Sequence, residues 1–343
     1  MDKILVIETG GTFATKSVDG IRSLSIGDAD IYRKKEVLEK KELYGFDFDI
    51  IRPIYTLSEN MTIKKLNVLI ESIRTMNLDG YKGVIITHGT DTMAYSANVL
   101  SMLFATKGLP LVLVSANHPI DMEISNGTIN FVSAIDFIYT CDVQGVFVVY
   151  KDERGEIQVH LGSRVKQMDQ SLDGYKRYKN REFGQIVDGK FVLSDQAHPV
   201  EELNERKPLY DDLSLAKKNI LMLIPYVGLR YDLISLDEID GIILGVYHSG
   251  TLNTDVNERE TCVNTIFEKA LEKNIPVFIS EVESDFDLYE SATSLEKLAN
   301  VHYIYDTAME NLHAKVLLGM SKFEDQELLD YLNTNIFFEK LEK

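Results

Sequence analysis

The 343-residue chain opens with MDKILVIETGGTFATK, Met1 to Lys16, and inside it the stretch ETGGTFA, Glu8 to Ala14, is the key to the fold. The apolar run Ile4 to Ile7 has the pattern of a buried strand, and it stops on two glycines set between threonines. Gly10 and Gly11 permit a tight turn and leave main-chain N–H groups bare. At the carboxyl end of a parallel strand such a loop can hold an anion or an oxyanion. The spacing is neither G-x-G-x-x-G nor that of a lysine-bearing phosphate loop, and taken alone it fits a plain turn equally well.

A second stretch repeats the arrangement. GVIITHGTDTMAYSA, Gly83 to Ala97, reads as strand, glycine turn and helix, and it packs His88, Thr90, Asp91 and Thr92 into the turn. Asp91 or Thr92 would cap a helix predicted over Met93 to Lys107, ended by Gly108 and Pro110. A cap accounts for one residue and leaves His88 and Thr90 over.

Along the chain, short apolar runs (ILVIE, GVIITHG, LPLVLVS, GVFVVY, then NILMLIPY, GIILGVY, IPVFISE, VHYIYD) alternate with segments of helical period. That alternation predicts an α/β fold with largely parallel, helix-covered sheets. Ile63, Leu66, Leu69, Ile70 and Ile73 form one helical stripe behind Thr62 as N-cap. Val263, Ile266, Phe267, Ala270 and Leu271 form another, ending before Ile275-Pro276. A β-hairpin is expected in FVVYKDERGEIQVHLG, turning at Asp152 to Gly155.

Between about Val187 and Lys218 the pattern breaks into polar sequence with Pro199 and Pro208. The expectation is two α/β domains: a larger N-terminal, Rossmann-like, doubly wound parallel-sheet domain over residues 1–187, a connection over 188–218, and a smaller α/β domain over 219–343. The length favours two cores over one.

Fifty-four acidic against 36 basic residues give a formal charge of -18. Such a surface repels phosphate backbones and anionic lipid, so neither nucleic acid nor membrane is expected as a partner. YKRYKNR, Tyr175 to Arg181, is too short a basic run to reverse this. No apolar run approaches the roughly 20 residues that span a bilayer. The N-terminus lacks a signal peptide's regions, and Cys141 and Cys262 show neither a metal nor a disulfide spacing. A cytoplasmic protein is expected.

TGGTFA followed by HGTDTMAYSA resembles both signature stretches of the bacterial asparaginase/glutaminase amidohydrolases. The likeness runs along essentially the whole chain. DTAMENLHAKVLLGM, Asp306 to Met320, is similar to the family's last sheet-to-helix passage, closer to its cytoplasmic type I.

The resemblance implies a threonine hydrolase of small amides, with no cofactor or metal. It makes Thr12 the nucleophile and has Thr90 and Asp91 move protons with a lysine, since a threonine hydroxyl is a weak nucleophile without a positioned base. Lys166, in GSRVKQMDQSLDGY, follows a hairpin strand as the family lysine does and keeps its spacing to an aromatic, Tyr175; Lys176 is the fallback. The main-chain N–H groups of Gly11 and Thr90 would hold the oxyanion, at about 3 to 4 kcal/mol per donor. By the same likeness LSENMT, Leu57 to Thr62, offers Ser58 to a substrate α-carboxylate and Glu59 to its α-ammonium, with Asp91 beside them. The carbonyl of Ala116, in VSANHP, would face the leaving nitrogen. Without the likeness, Ser58 to Thr62 reads as an ordinary helix start.

The sequence departs from the family where a mobile loop usually carries a tyrosine. In TFATKSVDGIRSLS that position falls on Ile21, followed by Arg22, neither of which relays a proton at neutral pH. Tyr32 and Tyr289 are conceivable replacements. GVYHSGTLN, Gly245 to Asn253, stands where the family has a shorter loop, and its His248 reads as a structural histidine before a catalytic one.

Family sites are completed across subunits, so a homodimer or homotetramer is implied. L-asparagine is the expected small-molecule substrate. Glutamine, another small amide such as a D-amino acid amide, a transfer-RNA-dependent amidotransferase component and an idle ligand-binding homologue are the alternatives. The amidotransferase components carry an added N-terminal domain, whereas Ile4 here already belongs to the first strand.

Overall fold

The computed structural model describes residues 1–18, 21–24, 30–169, 171–284 and 298–341. It divides into two compact units, Met1–Asp212 and Leu213–Lys343.

In the first unit the strands in chain order are β1 (Asp2–Glu8), β2 (Thr15–Val18), β3 (Ile21–Leu24), β4 (Phe46–Ile51), β5 (Tyr81–Thr87) and β6 (Pro110–Val114). There follow β7 (Gly145–Lys151), β8 (Ile157–Leu161), β9 (Val165–Lys166), β10 (Lys176–Arg177), β11 (Gly184–Val187) and β12 (Lys190–Leu193). Eight of them form one sheet in the order β12-β11-β8-β7-β6-β5-β1-β4.

The five strands from β4 to β7 in that order run parallel; β8, β11 and β12 are appended antiparallel. Both faces of the inner strands are buried, which is why Ile4–Ile7, Val84–Ile86 and Leu111–Val114 read as unbroken apolar runs. From β1 the chain crosses one way to β4 and returns on the other side of β1 as β5. The carboxyl ends of β1 and β5 therefore flank the point where strand order reverses, the crevice in which open α/β sheets collect ligands.

Helices α1 (Lys35–Tyr44), α2 (Ile63–Arg74), α3 (Met93–Phe104), α4 (Gly127–Thr140) and α5 (Val200–Glu205) complete the unit. Helix α2 buries Leu66, Leu69, Ile70 and Ile73, and the Thr62 hydroxyl accepts the Lys65 N–H at 3.3 Å as its cap. The β7–β8 hairpin closes with Asp152 and Glu156 paired at 2.9 Å.

The stretch 188–218 differs from the expected bare connection. Residues 190–193 are the edge strand β12, and in 200–205 the segment folds as α5, whose end is held where Gln144 donates its side-chain amide to the carbonyls of Leu203 and Asn204. Edge strands carry little apolar signal, and a six-residue helix has less than two turns in which a period can appear.

Among its described residues the second unit holds four parallel strands in sequence order, β13 (Ile220–Leu223), β14 (Gly241–Leu244), β15 (Val277–Ile279) and β16 (Val301–Tyr303). Helices α6 (Asn264–Glu272), α7 (Met309–Gly319) and α8 (Asp325–Asn333) accompany them. Helix α6 buries Val263 at its cap with Ile266, Phe267 and Ala270, but Leu271, expected on the same stripe, is 44% exposed at its last turn.

Candidate active site

The loop after β1 is shaped by its glycines. Gly10 and Gly11 have φ of 102° and 64°, values that side-chain-bearing residues rarely adopt. A Cβ on Gly10 would lie 2.4 Å from the Thr56 carbonyl oxygen, and one on Gly11 2.4 Å from the Gly89 nitrogen. The two motif turns therefore meet backbone to backbone. Gly11 donates its N–H to the Thr56 carbonyl at 2.8 Å, and Thr56 donates to Thr9 at 3.0 Å, so the segment after β4 is stitched beneath the first motif.

This corrects the expected role of Gly11 as an oxyanion donor. Its N–H is already taken, and what the position requires is the absence of a Cβ. Among the described residues no hydrogen bond takes up the N–H of Thr12 or of Thr90.

The two threonines of the first motif separate in role. Thr9 is buried and donates its hydroxyl to the Thr87 carbonyl at 2.8 Å, tying β1 to β5. Thr12 is half-buried at the start of a short turn, residues 12–14, whose Phe13 is buried against Phe131 with ring centroids 6.2 Å apart. The buried ring fixes the turn, and Thr12 stands one residue before it.

In the second motif Asp91 accepts a hydrogen bond from the Ser58 hydroxyl at 2.6 Å, and Thr92 donates its hydroxyl to the Ser58 carbonyl at 2.9 Å. Neither side chain caps α3, contrary to the local expectation: both reach across to Ser58. Ser58 is buried, Glu59 beside it is exposed, and a Cβ on Gly89 would stand 2.4 Å from the Ser58 hydroxyl oxygen.

His88 is fully buried. Its Nδ1–H donates to the Gly89 carbonyl at 2.9 Å, and Nε2 accepts from Ser96 on α3 at 3.0 Å. Burial pushes its pKa below the ordinary histidine value, so the ring is a neutral brace within the turn.

Two further loops reach the same sheet edge. After β6, Ala116 is buried, and the next residue, Asn117, exchanges hydrogen bonds with Asn126 at 3.0 and 3.1 Å. After β8, Lys166 lies in β9, paired with Lys176 of β10, and the preceding Val165 carbonyl accepts from Asn98 of α3 at 2.9 Å. The fallback lysine, Lys176, is exposed and bound to Asp169 at 2.6 Å. Gln167 donates to the Asp91 carbonyl at 2.5 Å and Tyr175 to the Thr90 carbonyl at 3.1 Å, joining the lysine loop to the second motif.

Of the tyrosines considered as a lid substitute, Tyr32 donates to the buried Glu8 carboxylate at 2.7 Å. Tyr289 and the side chain of Ile21 lie outside the described residues. Sequence reading missed Tyr55, whose hydroxyl donates to the Ala14 carbonyl at 3.3 Å, two residues from Thr12. Its position after β4 gives no local signal of that approach. His248 sits on an exposed turn of the second unit, closed by Gly250 donating to Tyr247 at 2.8 Å. Among the described residues no cluster of potential metal ligands occurs, and no helix is long and apolar enough to cross a membrane.

The family model "Asparaginase, N-terminal" matches residues 3–198. Among curated proteins, the D-type subunit of glutamyl-tRNA(Gln) amidotransferase from Methanococcus maripaludis strain C7 is 30% identical over 192 residues, 54% of this chain and 44% of its own length. The corresponding protein of Sulfolobus acidocaldarius is 28% identical over 280 residues, 78% of this chain and 59% of its own. The chain thus spans about half the length of the curated relatives it matches.

Solved structures share the fold. The L-asparaginase of Thermococcus kodakarensis has a TM-score of 0.77 at 21% identity, covering 99% of this chain and 100% of its own. L-asparaginase I of Vibrio cholerae has 0.75 at 19%, covering 99% of each chain, and a probable cytoplasmic L-asparaginase of Campylobacter jejuni 0.75 at 21%, covering 97% and 99%.

Proposed function

The chain belongs to the asparaginase family, and we propose that it hydrolyses L-asparagine to L-aspartate and ammonia through a threonyl ester on Thr12. The observation that carries the reading is the contact of the two motif turns, Gly11 on Gly89, at the reversal point of strand order. It brings the loop of the hydroxyl nucleophile against the loop of Thr90 and Asp91.

In this mechanism Thr12 Oγ1 gives its proton to Lys166 by way of Thr90 and attacks the amide carbon. The oxyanion is held by the N–H groups of Thr12 and Thr90, which lack partners among the described residues. Collapse breaks the C–N bond; the nitrogen takes the proton and leaves as ammonia past the Ala116 carbonyl. Water then attacks the ester by the reverse proton path, releasing aspartate and restoring Thr12. Ser58 binds the α-carboxylate once its hydroxyl turns from Asp91 to the substrate, and Glu59 and Asp91 bind the α-ammonium; the exposure of Glu59 fits its role.

A homodimer or homotetramer in the cytoplasm completes the proposal. The two cysteines are free and buried, in keeping with a reducing compartment.

Thr12→Ala or Thr90→Ala is expected to abolish ammonia release with the fold intact; full activity in either removes the mechanism. Parallel kinetics on asparagine, glutamine and D-amino acid amides fix the substrate. The names of the curated relatives favour a second reading, an amidase component acting with a partner protein on glutamyl-tRNA(Gln). Turnover of free asparagine by this chain alone favours the first reading, and turnover only with a partner protein and charged transfer RNA the second.

A further inference from the structure

We propose that Gln167 and Tyr175 are positioning residues that grip two successive carbonyls of the second motif, setting the Thr90–Asp91–Thr92 backbone and its distance from Lys166. The inference rests on the amide-hydrolase reading for its consequence but not for its geometry.

Both grips come from the loop that carries Lys166. Tyr175 donates its hydroxyl to the Thr90 carbonyl at 3.1 Å, and Gln167 donates its side-chain amide to the Asp91 carbonyl at 2.5 Å. The loop is anchored once more at Val165, whose carbonyl accepts from Asn98 of α3. Lys166 therefore stands between two pinned neighbours. A lysine has a flexible four-carbon stem, and only a fixed backbone gives its ammonium a defined reach.

The grips also aim main-chain donors. In a trans peptide the C=O and the following N–H point opposite ways, and the described peptides include no cis bond. With the Thr90 and Asp91 carbonyls turned toward the lysine loop, the N–H groups of Asp91 and Thr92 are turned away from it. A free turn would leave these peptides able to flip; two carbonyl bonds do not.

Tyr175 is itself held. It is 4% exposed, with Tyr150 edge-on at 5.3 Å and His160 at 6.4 Å between ring centroids. Its single proton goes to the Thr90 carbonyl, so the Ser115 hydroxyl, 3.4 Å away, is the donor to Tyr175. The chain Ser115 to Tyr175 to Thr90 links the loop before Ala116 with the second motif. Burial raises the phenol's pKa well above its ordinary value, keeping the donor protonated.

The test compares Tyr175→Phe, which keeps the ring and removes the hydroxyl, with Gln167→Ala. Two readouts are taken: backbone 15N order parameters, and kcat and KM for asparagine. The expected result is a fall in the order parameters of Thr90, Asp91 and Thr92 from about 0.85 toward 0.6, with those of β5 unchanged. It is accompanied by a loss of about 10- to 100-fold in kcat, KM within about twofold, which is the split of a group acting on the transition state rather than on binding.

Unchanged order parameters in both variants overturn the proposal whatever the activity. Lowered order parameters with unchanged kcat overturn the positioning role. If the wild-type protein releases no ammonia from any amide, the proposed function fails, while lowered order parameters still establish the grip.

Discussion

A Cβ placed on Gly11 would stand 2.4 Å from the backbone nitrogen of Gly89. The two glycines lie far apart in sequence and leave no room between their main chains. Gly11→Ala meets this contact and a φ of 64° together. A strained φ alone costs about 1–3 kcal/mol, and the neighbour here is backbone, which cannot swing aside. We expect the urea midpoint to fall by at least that equivalent and ammonia release to be lost; a variant of wild-type stability would contradict the contact.

Ser58→Ala removes the donor 2.6 Å from the Asp91 carboxylate and keeps the backbone carbonyl that Thr92 uses. A hydrogen bond to a charged group contributes about 1.5–3 kcal/mol. If Ser58 also binds the α-carboxylate, KM for asparagine rises roughly 10- to 100-fold with a smaller change in kcat. Equal falls in kcat and kcat/KM would place the hydroxyl's contribution in the transition state instead.

Stability is expected to decline on mild acidification. Burial, with the Arg177 charge nearby, pushes His160 down to about 3, and burial pushes His313 to about 4. An unfolded histidine titrates near about 6.5, so below that pH the unfolded chain binds protons that the native chain refuses. The contribution is complete above about pH 6.5 and is lost as pH falls toward about 3 to 4, at about 1.4 kcal/mol per pH unit per histidine. Urea midpoints at about pH 7 and about pH 5 should separate more for the wild-type protein than for His160→Gln; equal separation would remove His160 from the explanation.

In the second unit Lys315 and Glu339 are both fully buried and 2.8 Å apart. The lysine also donates to the Thr334 carbonyl at 2.5 Å, while the carboxylate accepts the N–H groups of Ile336 and Phe337 at 2.9 and 2.7 Å. Lys315→Met strands a buried carboxylate and should destabilise by about 3–5 kcal/mol. Lys315→Met with Glu339→Leu should recover most of the pairing loss, the remainder reflecting the Ile336 and Phe337 N–H groups and the Thr334 carbonyl, which all lose a partner. Calorimetric Tm values of the single and double variants decide this, and no recovery in the double variant would contradict the pair's role.

Much of this protein is written locally. The buried strands announce themselves as apolar runs, Thr62 caps its helix as the sequence indicates, and TGGTFA carries the two glycines that its positive-φ turn requires. Strand period, cap chemistry and positive φ are properties of a few consecutive residues, so they can be read without knowing what lies across the fold. The family likeness adds the expected order and roles of the motifs.

What the local pattern leaves open are groups whose partners come from distant segments. Asp91 and Thr92 look like caps because a polar residue before a helix usually is one, yet Ser58 takes both. The Gly11 N–H looks available until Thr56 is seen to accept it. Tyr175 looks like a spaced aromatic, and its hydroxyl gains meaning from the Thr90 carbonyl. A hydrogen bond satisfies one partner at a time, and which of several donors and acceptors it joins depends on where separate loops arrive. The order of amino acids thus set the strands, the first motif's turn and the candidate site side chains; packing between distant segments settled which backbone donors are taken and which loop holds another in place.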